Sequence, residues 1–510
     1  MAGRWQSSIR RTWRRLRRQS AAVQVGALVG ALAIVGGAVG GVVASSGSNG
    51  SGPGTLLGTS RGPSLGTPGV GIDQASTSTR GVVGNTINVA FPVANLTALS
   101  ANLGFLGDTE FGVQPAAIHI FVNDINDHGG IDGKKINPII QTIDPTNPAA
   151  VRALCKQWTE GNPPVFAVLD GVGSWVGDNQ LCVAQEGHTP MIGQWTTVTN
   201  WTTAGSPYLW WTGADQAAIL ETLVTWGQSA GLLGPSVKVG IVTGDRTSDQ
   251  VALHSYLLPA LAKIGVTNPE IESMPSGVTD TAATTAAAPL VVQRLESAGV
   301  TSVIPLIPFN ALFPYLGAAT TQNYFPKLLL SDYESSINVA LGLIPFPYEK
   351  ALEGQEGVTV ETLGGTDAPS SVVSAGGYDP GVQSCFDTFN AHHAPTSSTS
   401  KYIEEQGPIV SWCQVIRLFA AAARDAGPNL NRRTFVQAMS RVQNFTGTLS
   451  PTLSYGPNKF YGPTEYEVVS VHNNVPPGPL CVPTYKGIPQ GTCWHIVQSW
   501  QPLAGLSSSG

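Results

Sequence analysis

The clearest pattern of apolar and polar positions lies between residues 112 and 128. Apolar side chains recur there at helical spacing with polar side chains opposite, as in an amphipathic helix that covers a sheet. The apolar stripe is Ala117, Ile118, Phe121, Val122 and Ile125, and the polar face has His119, Asn123 and Asn126. Gly129 and Gly130 follow, and glycine takes the left-handed conformation that ends many helices. The sequence therefore predicts a helix over 112–128, a tight turn, and a strand over 135–140.

Short apolar runs alternate with further helical patterns along most of the remaining chain. The predicted strands are 87–91, 166–169, 237–242, 301–307, 327–330, 358–360 and 466–471, and the other predicted helices are 216–229, 249–264, 408–426 and 432–442. Such alternation predicts parallel sheets with helices on both faces. Because the alternating series occurs twice, we expect an α/β fold with two Rossmann-like lobes of similar architecture.

The first 85 residues lack this alternation. The first 20 hold seven arginines and no acidic residue, and 21–44 form an uncharged apolar run interrupted by Gln24. At about 1.5 Å per residue, a helix over 21–44 crosses a hydrocarbon core of about 30 Å. We therefore expect a cytoplasmic tail at 1–20 and a transmembrane anchor at 21–44, with a cleaved export signal as the alternative. Residues 45–85 are mostly Gly, Ser, Thr and Pro, which predicts a flexible linker.

Charge and motifs restrict the function classes. The formal net charge is −6, and removing the seven arginines of the first 20 residues leaves −13 for the rest. A nucleic-acid-binding body needs a basic face, so no nucleic acid is expected as a partner. The sequence has no phosphate-binding Walker loop and no His-Glu-x-x-His, and no placed Cys-His or Ser-His-Asp arrangement is apparent, so binding is favoured over catalysis.

The end of the first helix also resembles the start of a calcium-binding loop. Asp124, Asn126, His128 and Gly129 stand at the appropriate early positions. The twelfth position is Lys135, where such a loop needs a bidentate glutamate. We therefore expect neither a metal nor a cofactor.

The same segment resembles the opening of the substrate-binding proteins of ABC importers, in particular the branched-chain amino acid (Leu/Ile/Val-binding) type. In that family a helix ends in Ile-Asn-x-x-Gly-Gly-Ile-x-Gly followed by a basic residue. The matching residues are Ile125-Asn126, Gly129-Gly130-Ile131 and Gly133-Lys134, followed by Asp144-Pro145, the strand 238–242 and a helix ending at 422–427. The resemblance covers about residues 85 to 475 and implies the type I periplasmic-binding-protein fold, in which hinge crossovers join the two lobes.

The resemblance also implies how the chain is divided. Lobe 1 is expected to comprise 86–206 and 335–450, and lobe 2 to comprise 207–334 and 451–475. The strand 358–360 and the helix 408–426 are expected in lobe 1, after the chain recrosses beyond Ser331. Residues 476–510 are expected to form an irregular tail closed by a disulfide.

Six cysteines occur, an even number that indicates disulfides in an exported chain. They are Cys155, Cys182, Cys385, Cys413, Cys481 and Cys493. Sequential pairing is the simplest of the possible connectivities. Members of the resembled family often carry a bridge where Cys155 and Cys182 stand, so the resemblance favours this pair most. Cys481 and Cys493 are expected to close the loop in the tail.

Candidate ligand residues of lobe 1 follow its strands, because open parallel sheets bind ligands beyond the carboxyl ends of their strands. Ser174 and Trp175 stand in a Gly-rich loop that opens a helix, where Ser174 can offer its hydroxyl and amide to a ligand carboxylate. An ordinary turn is the alternative. The resemblance implies a second ligand loop at Gln194, Trp195 and Thr196, where the indole either stacks on a planar ligand or packs within the lobe.

Candidate residues of lobe 2 occupy the corresponding positions. Thr247 follows the strand 237–242, at a place where many family members have a Tyr-Gly pair that this chain lacks, which departs from the pattern for a simple amino-acid ligand. Asn310, Asp332 and Tyr333 follow two further strands. Asp332 can pair with a ligand ammonium and Tyr333 can cover it, and a solvated helix cap is the alternative for Asp332.

The sequence therefore predicts an extracytoplasmic solute-binding protein. It would capture a small polar ligand, such as an amino acid, an amide or a related acid, between two lobes and deliver it to an ABC import permease. The N-terminal helix would hold it at the cell membrane, unless the segment is cleaved and the protein secreted. A membrane-tethered sensor or receptor ectodomain is the first alternative, and an extracellular hydrolase on a similar scaffold is the second.

Overall fold

The computed structural model describes residues 69–94, 108–144, 147–171, 179–194, 198–277, 280–333, 349–361, 380–392, 399–475 and 491–504. The basic tail at 1–20, the apolar segment at 21–44 and most of the linker at 45–85 lie outside these residues. Among the helices described, none is both long and apolar enough to cross a membrane.

The described residues alternate between strands and helices, as predicted. The strands are β1 (Val82–Val83), β2 (Thr86–Ala94), β3 (Lys135–Ile143), β4 (Ala167–Asp170), β5 (Met191–Gly193), β6 (Leu209–Trp211), β7 (Val239–Gly244), β8 (Glu270–Met274), β9 (Ser302–Leu306), β10 (Lys327–Ser331), β11 (Glu356–Thr359), β12 (Phe445–Thr446), β13 (Thr452–Leu453), β14 (Glu465–Val475) and β15 (Gly491–Pro502). The α-helices are α1 (Asp108–Asp127), α2 (Pro148–Glu160), α3 (Asn179–Leu181), α4 (Thr199–Gly205), α5 (Gln216–Ser229), α6 (Thr247–Val251), α7 (Leu258–Lys263), α8 (Thr281–Ser297), α9 (Phe309–Gln322), α10 (Glu349–Leu352), α11 (Pro380–His392), α12 (Thr399–Asp425) and α13 (Arg432–Met439). A π-helical segment, Ala252–Leu257, joins α6 to α7, and another, Cys182–Glu186, follows α3.

The first sheet is built around β2. This strand pairs in parallel with β3 and with β4, while β5 and β6 extend the sheet in parallel beyond β4 and β1 pairs antiparallel with the start of β2. One predicted boundary is wrong. Residues 209–211 were expected in lobe 2, but β6 pairs with β5 and buries its three side chains in the core of lobe 1. The chain therefore leaves lobe 1 only after residue 211.

The helix α1 and the turn after it agree with the predicted helix and stop. All five side chains of the apolar stripe are buried in the core of lobe 1. Gly130 has a φ of +69°, and a Cβ atom there would lie 2.2 Å from the Lys134 carbonyl oxygen, so a glycine is required. Asn126, from the predicted polar face, accepts a hydrogen bond from the Ile136 N–H at 2.8 Å and donates one to its carbonyl at 2.9 Å. This motif asparagine therefore fixes β3 to the end of α1.

The second sheet has the order β15-β14-β11-β10-β9-β7-β8. The strands from β8 to β11 run parallel, and β14 and β15 are antiparallel additions at one side. The two sheets account for the two expected lobes, with separate apolar cores on the two faces of the second sheet.

Two predictions about the later part of the chain are wrong. The strand expected at 358–360 in lobe 1 is β11, which pairs in parallel with β10 and so belongs to lobe 2. The chain forms one more strand of the second sheet, preceded by α10, before it returns to lobe 1. The expected irregular tail at 476–510 contains β15, which forms an antiparallel ladder with β14. The Gly- and Pro-rich residues between these two strands hid the hairpin in the sequence.

Two disulfides tie helices within lobe 1. Cys155–Cys182 joins α2 to the π-helical segment after α3, and Cys385–Cys413 joins α11 to α12. They are the first two of the three pairs expected if the cysteines pair in sequence order, so these two pairs are confirmed. Closing loops of 27 and 28 residues stabilises the fold by roughly 3.5 kcal/mol per bridge in the chain-entropy model. Cys481 lies outside the described residues, so its bridge to Cys493 stays a prediction.

Among the described residues, two of the chain segments that pass between the lobes run side by side. The Trp211 N–H donates to the Phe460 carbonyl at 2.8 Å, and the Gly462 N–H donates to the Trp211 carbonyl at 2.9 Å. The Tyr455 hydroxyl donates to the same carbonyl at 3.0 Å. The later segment thus continues the first sheet beside β6 and then enters β14 of the second sheet. We call the two segments, 211–215 and 454–465, the hinge.

Candidate ligand-binding site

The carboxyl edge of the second sheet carries a cluster of hydrogen-bonded polar side chains. Asp249 in α6 is fully buried and accepts hydrogen bonds from Arg246 Nε at 2.9 Å and Nη2 at 2.6 Å. It also accepts from the Ser276 hydroxyl at 2.8 Å and from the Tyr333 hydroxyl at 2.5 Å. We call Arg246, Asp249, Ser276 and Tyr333 the Asp249 cluster. It joins the residues that follow β7, β8 and β10.

The cluster packs against the end of β7 at Gly244, where there is no room for a side chain. A Cβ atom on Gly244, the last residue of β7, would lie 1.9 Å from Asp249 Oδ2 and 2.3 Å from the Ser276 hydroxyl. Asp245, the next residue, accepts a hydrogen bond from the Ser276 N–H at 3.0 Å. Asn310, after β9, donates to the Ser276 carbonyl at 3.3 Å. The loops after β7, β8 and β9 are therefore held together at the strand ends.

Asp332 is not the solvated helix cap that was one of its two predicted roles. It is 2% exposed and accepts hydrogen bonds from the Val360 N–H at 2.6 Å and the Thr359 hydroxyl at 2.8 Å. Burial raises its pKa to about 7, against the effect of these two donors. The expected solvated cap is wrong, because the carboxyl group is enclosed and ties the end of β10 to the end of β11. Contact with a ligand stays a prediction.

The other predicted site residues are not all brought together. Asn310 and Tyr333 lie in or against the Asp249 cluster, while Thr247 is exposed at the start of α6. Gln194 is 1% exposed and accepts a hydrogen bond from the Thr212 hydroxyl at 2.9 Å. The remaining candidates, Ser174, Trp175, Trp195 and Thr196, lie outside the described residues.

The sequence reasoning missed the centre of the cluster. Arg246 and Asp249 flank the predicted Thr247, but no motif marked them. Their spacing of three residues at a helix start was the available signal, since side chains three apart on a helix lie on one face. Ser276 carried no such signal.

The carboxyl edge of the first sheet is lined with buried aromatic rings. Trp412 of α12 lies against Gly171, just after β4, and its ring centroid is 5.9 Å from that of Phe91 in β2. The Trp412 indole N–H and both side-chain polar atoms of Gln114 in α1 are buried, without a hydrogen-bond partner in the part of the chain described. An unpaired buried polar group costs about 1–3 kcal/mol, so these atoms are candidates for contact with a ligand or an ordered water.

A small cavity also lies at this side of lobe 1. Its lining comes from β2 to β5, from α2 and from the segment around α3, and is mainly apolar with Asp170 and Gln180 as polar members. Every lining residue belongs to lobe 1, so the cavity lies within one lobe. In the described ranges, no three His, Cys, Asp or Glu side chains are grouped to hold a metal ion.

The hinge contains a buried carboxyl group and a partly buried ammonium group. Asp215 caps α5, accepting hydrogen bonds from the Ala217 N–H at 3.0 Å and from the Thr199 hydroxyl of α4 at 2.7 Å. Burial raises its pKa to about 6, and the nearby charge of Lys459 acts in the opposite direction. The Lys459 ammonium lies among the carbonyl oxygens of Ser454, Tyr461, Gly462 and Pro463, at 2.6, 2.7, 3.0 and 3.0 Å respectively. Burial lowers its pKa to about 7.

A second contact joins the lobes directly beside the hinge. The Tyr256 hydroxyl, in the π-helical segment of lobe 2, donates to Asn200 Oδ1 of α4 in lobe 1 at 2.6 Å. Together with the Thr199–Asp215 bond, it fixes α4 against the start of lobe 2.

Comparisons with known proteins agree with this architecture. Residues 100–346 match a family model described as "Periplasmic binding protein". A fatty acid ABC transporter substrate-binding protein from Thermomonospora curvata superposes with a TM-score of 0.56 at 17% identity, over 84% of this chain and 95% of that chain. A solute binding protein of an ABC transporter from R. palustris, in complex with 4-hydroxybenzoate, gives 0.56 at 15% identity, over 81% and 96%.

A third similar structure is a branched chain amino acid ABC transporter protein from Thermus thermophilus with bound valine. It gives a TM-score of 0.54 at 14% identity, over 76% of this chain and 94% of that chain. No curated protein sequence matches the chain. The chain therefore has the type I periplasmic-binding-protein fold of ABC substrate-binding proteins, and the resemblance identified from the sequence is confirmed.

Proposed function

We propose that this protein is an extracytoplasmic solute-binding protein that captures a small polar ligand between its two lobes and delivers it to an ABC import permease. The expected ligands are amino acids, amides and related organic acids. The matched family model and the solved structures that share the fold are those of binding proteins rather than enzymes.

The observation that carries this proposal is the Asp249 cluster. Three separate loops of lobe 2 are held at one carboxyl edge by hydrogen bonds to a single buried carboxylate. A rigid polar surface at this place is what a binding site in an open α/β sheet requires. The aromatic edge of lobe 1 supplies an apolar surface with a buried indole donor. Ser174, Trp175, Trp195 and Thr196 would add the ligand contacts of lobe 1.

The mechanism would be a hinge motion. Contacts from both lobes to one ligand exist only when the lobes are closed, so ligand binding shifts the open–closed equilibrium by its differential affinity for the two forms. The two chain segments of the hinge are joined by backbone hydrogen bonds at Trp211, so they are expected to bend together.

The proposal is tested by a panel of amino acids, amides and carboxylic acids added to the purified full chain. Thermal unfolding should shift upward with at least one ligand, because a ligand that binds only the folded state stabilises it. Small-angle scattering should show a smaller radius of gyration with the same ligand. A broad panel that produces neither response would reject ligand capture.

Transport is distinguished from sensing by a separate observation. Genes for a permease and an ATPase beside the gene for this protein would support delivery to a transporter. A neighbouring kinase or regulator gene would instead support the membrane-tethered sensor.

A further inference from the structure

We propose that Asp245, Asp280 and Asn310 form a subsite at the carboxyl edge of the second sheet that binds a protonated amine of the ligand. This inference rests on the proposed function, since it names a chemical group that the same site would accept. We call these three residues the acceptor subsite.

The three residues follow three neighbouring strands. Asp245 comes directly after β7, Asp280 follows β8 just before α8, and Asn310 follows β9 in the first turn of α9. In the sheet, β7 lies between β8 and β9, so the order in which the chain adds strands reverses beside β7. Open α/β sheets bind ligands at such a switch point, beyond the carboxyl ends of the strands. The acceptor subsite therefore lies where the fold favours a ligand.

The turn at Ser276 and Gly277 brings the three side chains together. Asp245 Oδ1 accepts a hydrogen bond from the Ser276 N–H at 3.0 Å. The Asn310 amide nitrogen donates to the carbonyl oxygens of Ser276 and Gly277, each at 3.3 Å. Asp280 lies against the same turn, since a Cβ atom on Gly277 would be 2.4 Å from Asp280 Oδ2. All three side chains therefore meet at one short turn.

Each of these side chains has an oxygen that can accept a hydrogen bond from a ligand. Asp245 is exposed, and its Oδ2 has no hydrogen-bond donor among the described residues. Asp280 is also exposed, and its side chain makes no capping bond to α8. Asn310 is 2% exposed, and its amide oxygen has no donor in the described part of the chain, because the nitrogen makes both bonds. A buried acceptor without a donor is costly, so this oxygen is suited to a partner from outside the chain.

The charges around the subsite favour a cation. Residues 245–249 and 275–280 contain three aspartates and one arginine, a net charge of −2. Arg246 makes two hydrogen bonds to the buried Asp249 carboxylate, which balances its charge. Within the described ranges, Asp245 and Asp280 have no such counter-ion. A protonated amine supplies both a positive charge and three N–H donors for the three oxygens.

Two other acids at this edge are already engaged. Asp249 accepts four hydrogen bonds, which occupy the lone-pair directions of a carboxylate. Asp332, which the sequence suggested for a ligand ammonium, is enclosed by the Val360 N–H and the Thr359 hydroxyl. Asp245 and Asp280 are better placed for that role, because both side chains are exposed.

The test compares amines with alcohols of the same carbon skeleton: valine with 2-hydroxy-3-methylbutanoate, phenylalanine with 3-phenyllactate, and 2-phenylethylamine with 2-phenylethanol. Affinities for the full chain are measured by isothermal titration calorimetry. The wild type should bind the amine of at least one pair about tenfold or more tightly than the alcohol. In Asp245→Asn, the amine should lose about tenfold to 100-fold in affinity while the alcohol changes little, because a hydrogen bond between two charged groups is lost.

The variants are chosen to keep the turn intact. Asp245→Asn retains the oxygen that accepts from the Ser276 N–H. Asp280→Asn is the second variant and should lower the preference for the amine about threefold or more. Glu221→Gln is the matched control, since Glu221 is a lobe 2 acid in α5 that pairs with Lys263 at 3.1 Å and is 40% exposed. It should leave every affinity unchanged.

The outcomes separate this inference from the proposed function. If no compound of the pairs or of the wider panel binds, the proposed function fails and this inference fails with it. If ligands bind but the wild type prefers the amine in none of the pairs, the acceptor subsite alone is wrong. It is also wrong if Asp245→Asn folds and keeps the full amine-to-alcohol ratio of the wild type, or if it does not fold and Asp280→Asn keeps that ratio.

Discussion

The Asp249 cluster and the hinge each contain a buried carboxyl group and a cation, but they are arranged in opposite ways. In the cluster, Arg246 and Asp249 make a direct two-point ion pair. In the hinge, Asp215 is satisfied by helix N–H groups and a hydroxyl, and Lys459 by carbonyl oxygens. Direct pairing fixes the geometry of both ions, which suits recognition. Burial without a direct ion pair brings the pKa of both hinge groups towards neutrality, so we expect the stability of the hinge to depend on pH.

The largest expected effect on stability comes from a substitution in the Asp249 cluster. Asp249→Ala removes the buried counter-ion of Arg246 and the acceptor of the Ser276 and Tyr333 hydroxyls. Breaking a buried ion pair by removing one partner typically costs about 3–5 kcal/mol. Chemical denaturation should therefore show a fall of this size in the free energy of unfolding.

Asp425→Ala is the control for this loss. Asp425 pairs with Arg441 at 2.6 Å, but the two side chains are 55% and 57% exposed. An exposed pair contributes about 1 kcal/mol or less. Equal losses for the two variants would mean that burial of the cluster contributes nothing beyond an ordinary surface pair.

The second largest effect concerns Lys459. Its pKa is lowered to about 7 by burial, although the nearby charge of Asp215 limits this decrease. Between pH 7 and about 10, the unfolded chain holds a proton that the folded chain has lost. The contribution of Lys459 to the free energy of unfolding therefore rises with pH across that range. The wild type should gain up to about 4 kcal/mol relative to Lys459→Met between pH 7 and 10.

The measurement is a denaturation series for both proteins at several pH values, since groups common to both cancel in the difference. Lys263→Met is the control, because Lys263 is 68% exposed in its pair with Glu221. Its difference from the wild type should not change with pH over the same range. A flat difference for Lys459→Met would mean that the four carbonyl oxygens fully compensate the cost of burial.

The two regions also differ in how far they could be predicted from the sequence. Local features could be predicted from the sequence: the apolar stripe of α1, its stop at Gly130, and the helix α5 each depend on residues close together in the chain. The Asp249 cluster could not be predicted in this way, because Ser276 and Tyr333 lie 27 and 84 positions from Asp249 in the sequence. A short apolar strand such as β11 would look the same in sequence whether it belonged to lobe 1 or to lobe 2. Its place in lobe 2 is known only from its pairing with β10.

The third prediction concerns Asp215, whose pKa is raised to about 6. Between pH 4 and 6 the folded chain holds a proton that the unfolded chain has lost, so stability from this group falls as pH rises. Asparagine also caps helices well and keeps the acceptor for the Ala217 N–H. The free energy of unfolding of the wild type relative to Asp215→Asn should therefore fall by up to about 3 kcal/mol between pH 4 and 7. A flat or rising difference over this range would contradict the burial of the carboxyl group, because a solvated Asp215 would give no pH dependence and an ion-paired one would give the opposite sign.

The smallest effect is expected at the contact between the lobes beside the hinge. Tyr256→Phe removes the hydrogen bond to Asn200 while keeping the ring, and a neutral hydrogen bond contributes about 0.5–1.5 kcal/mol. Tyr466→Phe is a suitable control, since the Tyr466 hydroxyl has no hydrogen-bond partner among the residues described. Because the Tyr256 bond joins the two lobes, its loss should also change the radius of gyration of the ligand-free protein in small-angle scattering, whereas Tyr466→Phe should leave it unchanged. A loss of stability without any change in scattering would mean that the backbone hydrogen bonds at Trp211 are sufficient to set the angle between the lobes.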